Sequence, residues 1–180
     1  MFDFISTYFN SWNVIRSSGI TAYVLLFFAM FFGLSHHLFR IKSALVLHQV
    51  SGWFSFLFAL IHGIALTIDP FVSYSFSDVF VPFSASYKPI LSGLGTVSLF
   101  LLFSLILSSD MMKRVGRKIW RIIHYLSTPA FFLAAIHGIF LGTDTTSIPM
   151  LVLYSSTFAL IIFLFTMTFL ARKKEHVQKA

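Results

Sequence analysis

Cysteine is absent from this 180-residue chain, which excludes disulfides, thiolate-ligated haem and covalent c-type haem attachment. Charge is scarce as well. Asp, Glu, Lys and Arg make up 11% of the residues, where a soluble domain carries about a quarter. Acid is scarcest, with six Asp and Glu against 13 Lys and Arg. The six are Asp3, Asp69, Asp78, Asp110, Asp144 and Glu175, all at the ends of long apolar runs or in loops. A carboxylate-lined path through a membrane is therefore not encoded. No glycine-rich dinucleotide loop occurs, and no internal repeat or low-complexity linker is visible. What fills the chain is apolar: 57% hydrophobic residues, 24 of them phenylalanine, gathered into runs instead of alternating with polar positions. That is the profile of a chain whose solvent is lipid. The formal charge of +7 sits in short connections and near the C-terminus, which suits orientation in a bilayer and argues against nucleic acid as a partner.

A membrane-crossing helix needs about 20 apolar residues. Five stretches qualify: Ser18–Phe39, Leu45–Thr67, Ile90–Ser108, Ile119–Leu141 and Pro149–Ala171. The expected fold is all-α, a polytopic membrane bundle of five transmembrane helices over residues 18–171, with a basic tail at 172–180. Residues 1–17 lack the basic start and cleavage site of a signal peptide. There Phe2, Ile5, Tyr8, Phe9, Trp12 and Ile15 recur at helical spacing, as in an amphipathic segment lying on a membrane surface. The connection 68–89 holds Asp69-Pro70, Pro82 and many aromatics, and is expected to pack against the membrane face as a lid. Of the 13 Lys and Arg, only Arg16 and Lys88 fall on the side of the N-terminus; the rest follow the first, third and fifth spans. Positive charge stays in the cytoplasm, so the N-terminus is expected outside and the C-terminus inside.

Ligating side chains inside a span are costly and call for a reason. The second span holds His48 and His62, fourteen apart, and the fourth holds His124 and His137, thirteen apart. Both spans cross in the same direction, so His48 and His124 share the cytoplasmic level and His62 and His137 the external one. At about 1.5 Å per residue the two levels lie roughly 20 Å apart, as two stacked bis-histidine haems require. Facing is a separate matter: fourteen residues return to within about 40° of the starting face, whereas thirteen miss it by about 140°. Pro129 lies between His124 and His137, where it removes a backbone bond to Tyr125 and can kink the helix. Gly52, Gly63 and Gly138 lie beside the histidines or one turn away, where a missing side chain admits a flat porphyrin. Each histidine is expected to donate its second ring N–H to the carbonyl four residues earlier. Arg40 and Arg121, with Lys42 and Lys118, are candidates to neutralise inner propionates; Lys88, Tyr87 and Thr143 are the external counterparts. His36 and His37 read as interfacial residues and His176 as a solvated tail residue.

These residues carry a family resemblance. His48-Gln-Val-Ser-Gly52 leading to Ile61-His62-Gly63, and Trp120-Arg-Ile-Ile-His124-Tyr leading to Ile136-His137-Gly138, look like the ferric reductase-like transmembrane domain. That module is shared by NADPH oxidases, eukaryotic ferric reductases and the bacterial haem-binding subunit of a methionine sulfoxide reductase system. The resemblance runs from about Ser18 to Ala171 and includes the fourteen-then-thirteen spacing. It implies two haem b groups, an inner one on His48 and His124 and an outer one on His62 and His137. It also implies single-electron transfer from the cytoplasmic side to an acceptor outside. The oxidases carry a further N-terminal span, which residues 1–17 are expected to replace in part. They also carry a FAD- and NADPH-binding domain after the last span, which has no counterpart in this sequence.

The expected function is therefore a dihaem transmembrane conduit, the haem component of an oxidoreductase. Its donor would be a separate cytoplasmic flavoprotein or membrane quinol, so that flavin or quinone comes with a partner. Its acceptor would be extracytoplasmic: ferric iron, oxygen or a partner reductase. The rival expectation is a transition-metal or proton transporter that uses the same intramembrane histidines. It has the missing carboxylates against it.

Overall fold

The computed structural model describes residues 10–71 and 73–177, with side chains through Ala171. All regular structure among them is helical: α1 (Ser11–Phe39), α2 (Lys42–Ile68), the short α3 (Phe76–Phe80), α4 (Pro89–Asp110), α5 (Met112–His124), α6 (Ser127–Leu141) and α7 (Ile148–Val177). Four of these, α1, α2, α4 and α7 through Ala171, are long and apolar enough to cross a membrane. The pair α5–α6, bent by 47° where the two meet, passes the same test only when taken together, giving four to five candidate spans. α1 begins at Ser11 under an Asn10 cap whose side chain accepts the Asn13 N–H at 2.8 Å. Residues 11–17, expected on the membrane surface, are thus continuous with the first long helix, and residues 1–9 of that stretch lie outside the described residues. α7 carries its helix through Val177, into the stretch expected as a tail.

Hydroxyl groups organise the packing. In lipid every polar group needs an internal partner, and small hydroxyl residues let helices approach closely while bonding across the contact. α1 and α2, joined only by Arg40 and Ile41, run antiparallel with contacts at strict seven-residue steps. His62 Nδ1 meets the Ile15 carbonyl at 2.8 Å, Ser55 Oγ meets that of Ala22 at 2.9 Å, and His48 Nδ1 meets that of Ala29 at 2.7 Å. α4 and α6 repeat the scheme. His137 Nδ1 meets the Leu91 carbonyl at 2.9 Å, and seven residues on Ser98 Oγ donates to the Ala130 carbonyl at 2.8 Å. The chain is therefore two hairpins of one design, a repeat that residue identities hide because only a few positions carry it.

The hairpins meet in a core of Tyr23, Leu26 and Met30 from α1, Leu102 from α4, Phe131 and Ala135 from α6, and Tyr154 and Ile161 from α7. Phe131 is fully buried, and Tyr23 OH bonds Thr157 Oγ1 of α7 at 2.6 Å. The outward faces, with Phe28, Trp53, Phe54, Phe103, Phe163 and Phe169 exposed, are apolar surface for lipid. Within the connection 68–89, α3 is closed by a capping box of Ser75 and Asp78. The Ser75 hydroxyl, then its backbone N–H, hold the Asp78 carboxyl below its usual pKa. This connection packs on the helix ends as expected: Val79 lies against Gly63, and Thr96 Oγ1 donates to the Val79 carbonyl at 2.8 Å.

Candidate functional site

Four histidines converge as two facing pairs. His62 and His137 stand 6.2 Å apart, ring centroid to ring centroid, with planes at 87°. His48 and His124 stand 5.8 Å apart at 66°. α2 and the α5–α6 pair therefore run in the same direction and hold the two pairs at matched depths. The first pair lies at the end that carries the 68–89 connection, and is here the lid-side pair. The second lies at the end that carries Arg40, Lys42 and the basic helix α5, and is the basic-side pair.

The thirteen-residue spacing is accommodated by a break. α5 ends at His124; Tyr125 and Leu126 form a tight turn, with the Leu126 N–H reaching only to the Ile123 carbonyl at 2.9 Å. Pro129, lacking an N–H, leaves the Tyr125 carbonyl without its helical partner. The resulting 47° bend lets two residues that would miss each other by about 140° on a straight helix both face α2. A second break inside α5, at Gly116 with φ 81°, bends the basic connection before it enters the span; that φ suits only glycine without strain.

The second ring nitrogens are tied down, though not as the sequence suggested. A carbonyl only accepts, so the Nδ1 atoms of His48, His62 and His137 must each carry the proton. Their acceptors lie on the neighbouring helix, at Ala29, Ile15 and Leu91, not four residues back. The local carbonyl is already spent on the helix ladder and points along the axis, whereas the hairpin partner presents one sideways. In each case the residue four beyond the acceptor is a glycine. A Cβ built at Gly19, Gly33 or Gly95 would stand 2.9, 3.0 or 2.6 Å from the His62, His48 or His137 ring. These three glycines were missed from the sequence. The available signal was Gly19 and Gly33, fourteen apart on α1, matching His48 and His62, fourteen apart on α2.

Of the glycines that were singled out, Gly52 has nothing within 4 Å of its missing side chain and is open to a flat ligand. Gly63 and Gly138 lie on the wall of the space beside the lid-side pair, and each also takes a close protein neighbour, Val79 at the first and the Tyr154 hydroxyl at the second. Arg40 caps α1 in the left-handed region, and Arg121 lies in the last turn of α5. Both are exposed at the basic end, with no ion pair among the described residues. His36 Nδ1 donates to the Ile41 carbonyl at 2.8 Å, within the turn between α1 and α2.

The lid-side pair lines a cavity of about 480 Å³. Tyr87 and Thr143, expected at this end, line it too, whereas Lys88 turns aside to donate to the Phe140 carbonyl at 3.3 Å. Arg16, not foreseen there, stands at the rim in a two-pronged ion pair with Asp144, its Nε 2.7 Å from a carboxylate oxygen. The residues present suit a bis-histidine haem. A metal–imidazole bond of about 2.0–2.1 Å puts each ring centroid roughly 3.2 Å from the metal, so two imidazoles sharing one metal would have centroids about 6.4 Å apart. The observed 6.2 Å at the lid-side pair meets that spacing, and the 5.8 Å at the basic-side pair is about 0.6 Å shorter. Among the described residues no three or more His, Cys, Asp or Glu side chains gather as a metal cage.

A family model described as the ferric reductase like transmembrane component matches residues 18–135. The match includes His48, His62 and His124 and stops two residues before His137. No curated protein and no solved structure matches the chain. Covering well over half of the chain, the match makes this protein a member of the ferric reductase-like transmembrane family.

Proposed function

We propose that this protein is a dihaem b-type electron conduit of a multi-pass cell membrane, in bacteria the plasma membrane. It would carry electrons from a cytoplasmic flavoprotein or membrane quinol to an extracytoplasmic acceptor: ferric iron, oxygen or a partner reductase. The single observation that carries the reading is the two facing histidine pairs at matched depth. When bound, haem supplies a one-electron ferric/ferrous couple at each level. The chain's own residues do the rest. Ile15, Ala29 and Leu91 hold protons on Nδ1 of His62, His48 and His137, so each Nε2 keeps the free lone pair. Gly19, Gly33 and Gly95 let those rings seat against the helices. Arg40 and Arg121 offer cationic partners to carboxylates at the basic end, and the open side of Gly52 leaves room for a flat ring. Two imidazoles per level leave no coordination position for a substrate, which favours outer-sphere transfer at the ligand edge over oxygen activation at the metal.

Haem stoichiometry and the reduced-minus-oxidised spectrum, measured on the purified wild type and on His62→Ala, test this directly. Two b-type haems falling to one is the expected result. Folded protein without haem, expressed with ample supply, would overturn the reading and bring the metal or proton transporter forward.

A further inference from the structure

Three of the four histidines share one support: a carbonyl on the partner helix and a glycine four residues beyond it. The fourth does not. His124 Nδ1 is buried and has no hydrogen-bond partner. The register of the second hairpin shows where its partner should be. Along α4 and α6 Leu91 faces His137 and Ser98 faces Ala130; past the break Ser109 meets Trp120 of α5, so one antiparallel turn further Leu105 falls beside His124. The glycine position four beyond Leu105 is Ser109. Gly95 and Ser109 are fourteen apart on α4, as Gly19 and Gly33 are on α1.

Ser109 closes this place in two ways. It puts a side chain at the position that is glycine in the other three supports. Its hydroxyl donates to the Leu105 carbonyl at 2.8 Å, and Ser108 Oγ donates to the same oxygen at 3.0 Å. With the helical N–H, that carbonyl is saturated. The Ser109 oxygen in turn accepts the Trp120 indole N–H at 3.2 Å, and the Trp120 ring stacks on His124, centroids 4.8 Å apart and planes at 29°. His124 is thus held by an aromatic face where its three counterparts are held by a hydrogen bond.

We propose that Ser108 and Ser109 are positioning residues that withhold the Leu105 carbonyl from His124 and thereby make His124 the weakest of the four axial donors. The proposal rests on the dihaem reading. A hydrogen bond from Nδ1–H to an acceptor raises the donor strength of the imidazole and favours the ferric state. Both lid-side histidines have that bond and only one basic-side histidine does, so the two serines raise the basic-side midpoint potential.

The test is redox potentiometry with electron paramagnetic resonance of the low-spin ferric haems, on the full chain. The double variant Ser108→Ala/Ser109→Gly, which frees the carbonyl and the space, is expected to lower the midpoint potential of one haem and shift its resonance, leaving the other haem unmoved. His62→Ala, which retains only the basic-side haem, identifies which one. Ser109→Gly and Ser109→Ala each leave the Ser108 hydroxyl on the carbonyl and should read as wild type. Unchanged potentials and spectra in the double variant with two haems bound, the same shift in either single variant, or loss of the basic-side haem in the double variant would each overturn the role of the two serines. Absence of haem from the wild type would instead overturn the dihaem reading beneath it.

Discussion

The first hairpin is straight and the second is broken, although both deliver two histidines to the same two depths. In α1–α2 the histidines are fourteen apart, so one uninterrupted face serves both levels, with Gly19 and Gly33 seating both rings. In α4–α6 the spacing is thirteen, so the helix is cut at Tyr125 and Leu126. The cut leaves His124 at a helix end, where it has lost the support the other three have. The comparison teaches that a single residue of spacing decides whether a membrane helix can present two ligands unaided. It also shows that the cost of the shorter spacing falls on one ligand only.

The largest effects are expected where a ring is seated. Gly95→Val puts atoms within reach of the His137 ring, whose nearest atoms already lie 2.6 Å from an ideal Cβ. It should empty the lid-side level and halve the haem content, with overpacking costing about 1–3 kcal/mol. Gly33→Val should empty the basic-side level instead. Haem content with thermal unfolding checks both, and loss of the same level in the two variants would break the comparison.

A moderate effect is expected at the cut itself. Pro129→Ala restores an N–H toward the Tyr125 carbonyl, in the first turn of α6 where proline itself costs little. The variant should be no less thermostable than wild type, yet should bind basic-side haem about tenfold more weakly as His124 swings off the facing side. Haem titration read against the melting temperature decides it; unaltered binding at both levels would mean that the break does not depend on the proline.

The smallest effect belongs to the tie between the hairpins at the lid-side rim. Arg16→Gln removes the ion pair with Asp144, which joins α1 to the turn after α6. Both partners are solvent-accessible, so the loss should be about 0.2–1 kcal/mol, and less at high salt. A melting point that drops by more than a few degrees would show the rim to be a stronger clamp than surface electrostatics allows.

The helical membrane fold was legible because lipid leaves few options: long apolar runs must be helices, and their count follows from length. The four histidines were legible for the same reason, since imidazole in a span is expensive. What stayed hidden was the support. Gly19, Gly33 and Gly95 look like ordinary membrane-helix glycines until the antiparallel register puts them against imidazoles. That register lives in backbone carbonyls, which carry no residue identity. Gly63 and Gly138 line the lid-side cavity but also take the close approach of Val79 and Tyr154, neighbours that adjacency in sequence does not reveal. The break at Tyr125 was foreshadowed by Pro129, but its direction depends on the packing of α6 against α4.

The carbonyl anchors also separate fastening from bridging. Each anchored histidine is fastened within its own hairpin, His48 and His62 to α1 and His137 to α4, whereas each facing pair is drawn from both hairpins. A ligand shared by either pair would therefore act as a rivet between the two halves of the molecule.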